Sequence, residues 1–140
     1  MAIVVHITTR AAWDTAIAAG RYAPPSLADE GFIHCSTPAQ AVATANRYFR
    51  GRADLILLCI DAARVADTLR YEPPAPLAVA RDPGMPGARS GAPDDRAGEL
   101  FPHLHGPLRP DAVVEIVPFP CAPDGSFVLP AELGAASPRA

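Results

Sequence analysis

The sequence predicts an α+β domain: a mainly antiparallel, twisted sheet with two helices near its N-terminus. Short β-branched or apolar runs of strand length recur along the chain. Helical periodicity is confined to two stretches before residue 51, and no regular strand–helix–strand alternation follows. At 140 residues the chain fits one domain, because a second would be too small to bury its own core.

Ala2 to Ile7 reads as the first strand, ending at Thr8-Thr9. Thr9 is placed to cap a helix from about Arg10 to Ala19, with Trp13, Ala16 and Ile17 on one face and Gly20 as its left-handed stop. Tyr22 to Glu30 contains Pro24-Pro25 and is expected to be an irregular connection. Gly31 to Ser36 is a short strand. Ser36 or Thr37 then caps a second helix, with Pro38 where a missing N–H costs nothing. Ala41, Val42, Ala45 and Phe49 supply its buried stripe, and Gly51 ends it after about Arg50.

Leu55 to Ile60 is a continuous apolar run, the pattern of a central strand covered on both faces. Thr68 to Glu72 and Ala112 to Pro118 are further strands, with Tyr71 turned inward and Glu115 toward solvent. Leu77 to Ala80 and Ser126 to Leu129 are weaker candidates. Residues 82–97 are rich in Pro, Gly, Asp and Arg and lack periodicity, so they read as a long loop. The domain thus spans residues 1–120, and 121–140 form a C-terminal strand and extension with a frayed tail.

Net charge is −3, the signs are interspersed, and every cation is an arginine. No basic block marks a nucleic-acid footprint. No apolar run reaches the ~18 residues needed to span a bilayer, and the first residues do not form a signal peptide. A cytoplasmic protein is expected. The three cysteines lack a Cys-x-x-Cys pair, which fits reduced thiols: Cys35 and Cys59 as buried groups, Cys121 without chemistry.

The four histidines concentrate the polar chemistry. His6 lies in the first strand and His34 in the short strand before a helix. His103 and His105 flank Leu104 and share a face. Each alone could be a structural histidine, since an unpaired buried imidazole costs about 1–3 kcal/mol and must find a partner. Together, in segments with few other polar residues, they place Gly31–Ser36 and Phe101–Leu108 in one pocket. Ser36 is first a helix cap, at a position that also suits an anion. Glu99 is either a loop-end charge or a pocket carboxylate, and Arg70 and Glu72 share a face where they can pair. No glycine-rich phosphate loop, Gly-x-Ser-x-Gly elbow or His-Glu-x-x-His motif is present.

Val5-His-Ile-Thr-Thr, Gly31-Phe-Ile-His-Cys-Ser-Thr and Gly98-Glu-Leu-Phe-Pro-His-Leu-His-Gly-Pro-Leu108 resemble the bacterial family DUF952, in order, from about residue 3 to residue 119. One departure is visible: His105 stands where the family usually has tyrosine, in Pro-His-Leu-Tyr-Gly. That weakens a reading of His103 and His105 as an acting pair. The family's fold resembles the ADP-ribosyltransferase superfamily, which uses NAD. The resemblance implies that His6 meets the nicotinamide ribose, that the Phe32–Ser36 segment supports the nicotinamide, and that Glu99 is the later acid. The implied catalytic residues are His6, His34, Glu99 and His103; those expected to hold NAD are His6, Thr8, Phe32 and Ser36.

Three readings follow. The first is an NAD-binding, ADP-ribosyl-transfer-like enzyme acting on a small molecule or nucleotide, with no metal expected. The second is a metal-dependent hydrolase built on His103-x-His105, with His34 or Glu99 completing the site. The third is a non-enzymatic small-ligand or pH sensor.

Overall fold

The computed structural model of the chain describes residues 2–72 and 100–130. Leu77–Ala80, residues 82–97, Glu99 and the tail after Gly134 lie outside the described residues. The elements run β1 (Ile3–Thr9), α1 (Arg10–Ala19), α2 (Pro25–Glu30), β2 (Ile33–His34), α3 (Pro38–Tyr48), β3 (Leu55–Asp61), β4 (Leu69–Glu72), β5 (Phe101–Leu104) and β6 (Val113–Pro118). Short 3₁₀ turns lie at Ala62–Val65 and Pro110–Ala112.

The architecture is α+β with antiparallel pairing throughout these strands. The expected single sheet is divided into two three-stranded sheets, ordered β1-β3-β6 and β2-β5-β4. Their seam is one backbone bridge: Val5 N–H donates to the Ser36 carbonyl at 2.7 Å and Ser36 N–H to that of Val5 at 2.8 Å. A second bridge, Tyr22 with Leu108, fastens the chain after α1 to the segment after β5.

The apolar run of β3 is covered on both faces, as its composition predicts. Leu55, Leu57 and Cys59 meet Val5, Ile7, Val117 and the α3 residues Ala41, Ala45 and Tyr48. Ile56, Leu58 and Ile60 face the other way, into a layer with Trp13, Tyr22, Ile33, Leu104 and Leu108. That second layer is what docks the small sheet onto the large one.

Both N-terminal helices start and stop for local reasons. Thr9 accepts from Ala12 N–H at the start of α1, and Gly20, at φ 85°, ends it. Thr37, rather than Ser36, caps α3: its side chain accepts from Gln40 N–H, while the Gln40 side chain accepts from Thr37 N–H. Thr37→Ala should therefore lower stability by about 1 kcal/mol, read as a fall in the urea midpoint at unchanged slope. The helix ends at Tyr48, two residues short of the expected limit, with Phe49 as its C-cap.

Several expectations are corrected. Tyr22–Glu30 is not wholly irregular, because Pro25 sits in the first turn of α2, where no N–H is required, and Gly31 ends that turn at φ 88°. Ile17 is 51% exposed, so the buried side of α1 is carried by Trp13 and Ala16. Tyr71 alternates onto the same side as Leu69 but is also 51% exposed, standing beyond the limit of the core. Ser126–Leu129 forms no strand. The backbone of Phe127 is met instead by the Asn46 side chain, which accepts from Phe127 N–H at 2.8 Å and donates to the Phe127 carbonyl at 3.3 Å. Phe127 is thereby held against Phe119. Among the described residues, no helix is long and apolar enough to cross a membrane.

Candidate functional site

The small sheet divides its residues by alternation. Ile33, Cys35 and Leu104 turn into the layer between the sheets. Their neighbours face the other way, so His34 stands opposite His103 and His103 opposite Arg70, one cross-strand row over three strands. Phe32 closes the group: its ring stacks on His103 at 4.3 Å and 14°, and lies 4.8 Å from His34 and 5.4 Å from His105.

Each imidazole of the row is anchored by a carboxylate. His34 Nε2 donates to Glu30 Oε1 at 3.0 Å, four residues back across the end of α2. His103 Nδ1 donates to Glu72 Oε1 at 2.8 Å, and His105 Nε2 donates to the same oxygen at 2.9 Å. Burial, then the neighbouring His103 and His6, push His34 down to about 3, so its contact with Glu30 is a hydrogen bond from a neutral ring. Burial likewise lowers His103, against the opposing pull of Glu72. The hydrogen bonds from His105 and His103 hold the Glu72 carboxyl below its ordinary range.

Neutral rings that donate from one nitrogen keep a lone pair on the other. These are Nδ1 of His34 and Nε2 of His103, and neither has a hydrogen-bond partner among the described residues. Arg70, at the end of the row, is exposed and, among the described residues, bonds to the Leu69 carbonyl. The face therefore offers two acceptors, an aromatic surface and a cation.

His6 and Thr8 stand behind this face. His6 Nδ1 donates to the His34 carbonyl at 2.6 Å, since a carbonyl only accepts. In the neutral ring Nε2 is then an acceptor, which the Tyr22 hydroxyl meets at 2.8 Å, with Thr8 Oγ1 3.1 Å from that hydroxyl. His6 thus touches the site through the backbone of His34. Ser36 is buried at the seam, where its backbone joins Val5. Cys35 is buried on the core side and its thiol is pushed up by burial. Glu99 falls outside the described residues.

The two histidine segments do meet, and His103 and His105 converge on one carboxylate. Sequence reasoning missed the carboxylates themselves. Glu30 carried a local signal, its i,i+4 spacing to His34. Glu72 carried none: read as pairing with Arg70, it pairs instead with histidines that only the β4–β5 register brings near. Among the described residues, no group of three or more His, Cys, Asp or Glu could hold a metal ion.

Residues 7–116 match the family described as "Protein of unknown function (DUF952)". The chain belongs to DUF952. It is also similar to the crystal structure of protein CC0527 from Caulobacter crescentus, with 33% identity, a TM-score of 0.72, and coverage of 94% of this chain and 98% of that one. The solution NMR structure of CC0527 aligns with a TM-score of 0.66 at 33% identity over 97% of each chain. No curated protein matches. For this DUF952 chain, the family match spans every residue of the His34–His103–Arg70 row.

Proposed function

We propose that the His34–His103–Arg70 face binds NAD and supports ADP-ribosyl transfer or NAD glycohydrolysis. One observation carries the reading: two largely buried, neutral imidazoles, each anchored by a carboxylate, keep one nitrogen apiece as an acceptor beside an exposed arginine. Ribose hydroxyls are donors suited to such acceptors. Phe32 offers a flat surface for the nicotinamide, and Arg70 a cation for the pyrophosphate. Cleaving the nicotinamide bond builds positive charge on the ribose, which a nearby carboxylate stabilises. Glu99 keeps the role of catalytic acid that the family resemblance implies, with Glu72 as a second carboxylate beside the row. His6, Thr8 and Ser36 serve from behind, holding the His34 strand in place.

The test is calorimetric titration with NAD and an assay of nicotinamide release. His34→Gln and His103→Gln should each weaken binding about tenfold, the value of one well-made hydrogen bond. Glu99→Gln should retain binding and lose turnover. No binding at millimolar NAD would end this reading. Binding without release by the wild type would favour a ligand sensor on the same face.

A further inference from the structure

We propose that His34 Nδ1 and His103 Nε2 together bind a divalent transition metal ion such as zinc, with the remaining coordination positions open to water or a small ligand. Metal-ligating histidines commonly donate their second ring nitrogen to a carboxylate, which fixes the ring and raises its basicity. Both rings here do so, His34 to Glu30 and His103 to Glu72. The two carboxylates come from different elements, Glu30 from the end of α2 and Glu72 from β4. With one nitrogen of each ring held in this way, His34 Nδ1 and His103 Nε2 are the nitrogens left for an ion.

The separation also fits. With a metal–nitrogen bond of about 2.0–2.1 Å, two imidazoles sharing an ion at about 110–120° have ring centres about 5.2–5.5 Å apart. The centres of His34 and His103 are 5.5 Å apart, with the planes inclined at 68°. Both side chains are largely buried, at 12% and 3% exposure, and Phe32 contacts each ring. The rings are neutral, as ligation requires, and the two carboxylates offset the charge of an ion. Imidazole nitrogen suits zinc, copper and nickel. Two protein ligands make an open site, and an ion seated there would meet the oxygens of a bound nucleotide in place of the bare nitrogens. The inference does not depend on NAD, and its test uses the metal alone.

Full-length protein, purified without a histidine tag and stripped with chelator, is titrated calorimetrically with zinc chloride and spectroscopically with cobalt(II). One ion per chain is expected. His34→Gln and His103→Gln should each abolish binding, and Glu30→Gln and Glu72→Gln should weaken it about 10–100-fold. His105→Gln should leave it unchanged. Thermal melts establish that each variant is folded. Imidazole ¹⁵N spectra of the wild type need no substitution, and zinc should move His34 Nδ1 and His103 Nε2 alone. No stoichiometric binding at millimolar zinc overturns the proposal. So does loss of binding in His105→Gln with retention in His34→Gln, or a zinc shift confined to His105.

Discussion

Leu104→Ala is expected to destabilise the protein by about 2–5 kcal/mol and to weaken ligand binding on the opposite side of the same strand. Leu104 is 1% exposed and lies in the layer between the sheets with Ile33, Leu58 and Leu108. It is also the residue of β5 that pairs with Ile33 on one side and Leu69 on the other. Truncation leaves a cavity at the centre of the small sheet, directly behind His103. The ladder of β2 is only two residues long, so little else restores the alignment of His34 with His103. Urea denaturation measures the loss, and Leu104→Met, which keeps the volume, should cost less than about 1.5 kcal/mol. A cost below about 1 kcal/mol for the alanine variant would show that this layer does not hold the small sheet.

Acidification from pH 7.5 to 5 is expected to cost about 2 kcal/mol through His34 alone. The ring has an ordinary value of 6.5 and is pushed down to about 3 in the fold, chiefly by burial. Protons therefore bind the unfolded chain first. The contribution is complete above pH 6.5 and is lost progressively as the pH falls toward 3. His103, also lowered, adds in the same direction. Glu72, held below its ordinary value of 4.5, loses its contribution only at lower pH. Scanning calorimetry should show Tm falling by about 5–10 °C between pH 7.5 and 5. His34→Gln, which cannot titrate, should flatten the profile. A wild-type Tm independent of pH over this range would mean that His34 is protonated in the folded protein.

The parts of the fold legible in the sequence are those written in periodicity and punctuation. The apolar run of β3, the Thr9 cap and the Gly20 stop are local signals that appear where expected, and of the two cap candidates for α3 the structure takes Thr37 and not Ser36. The split into two sheets is not local. It depends on the chain keeping a single bridge to β1, at Ser36, while β2 itself pairs with β5, nearly seventy positions later in the chain. Tyr71 shows a second limit, since alternation assigns a side of the sheet but not how far the core extends along it. Ser126–Leu129 shows a third: a strand-like composition gave way because one side chain, Asn46, met the backbone needs of Phe127.

The site divides in the same manner. That the histidine segments meet was readable from residue type and alternation. That His6 faces inward to the His34 carbonyl and the Tyr22 hydroxyl was not, because its partners come from separate loops and strands. Glu72 was visible as a charge on β4, yet its role follows from the register with β5.

The brevity of β2 leaves the identity of the exposed face dependent on a count of residues. Ser36 is tied to Val5 and Cys35 N–H to the Pro102 carbonyl, so the C-terminal end of the segment is fixed from outside. His34 and Cys35 are adjacent and point to opposite sides. A one-residue shift of this segment against those ties would exchange them, sending an imidazole into the apolar layer and presenting a thiol beside Phe32 and His103. The same few atoms of chain would then make a different reagent. Insertions between Gly31 and Ser36 should thus act as changes of chemistry.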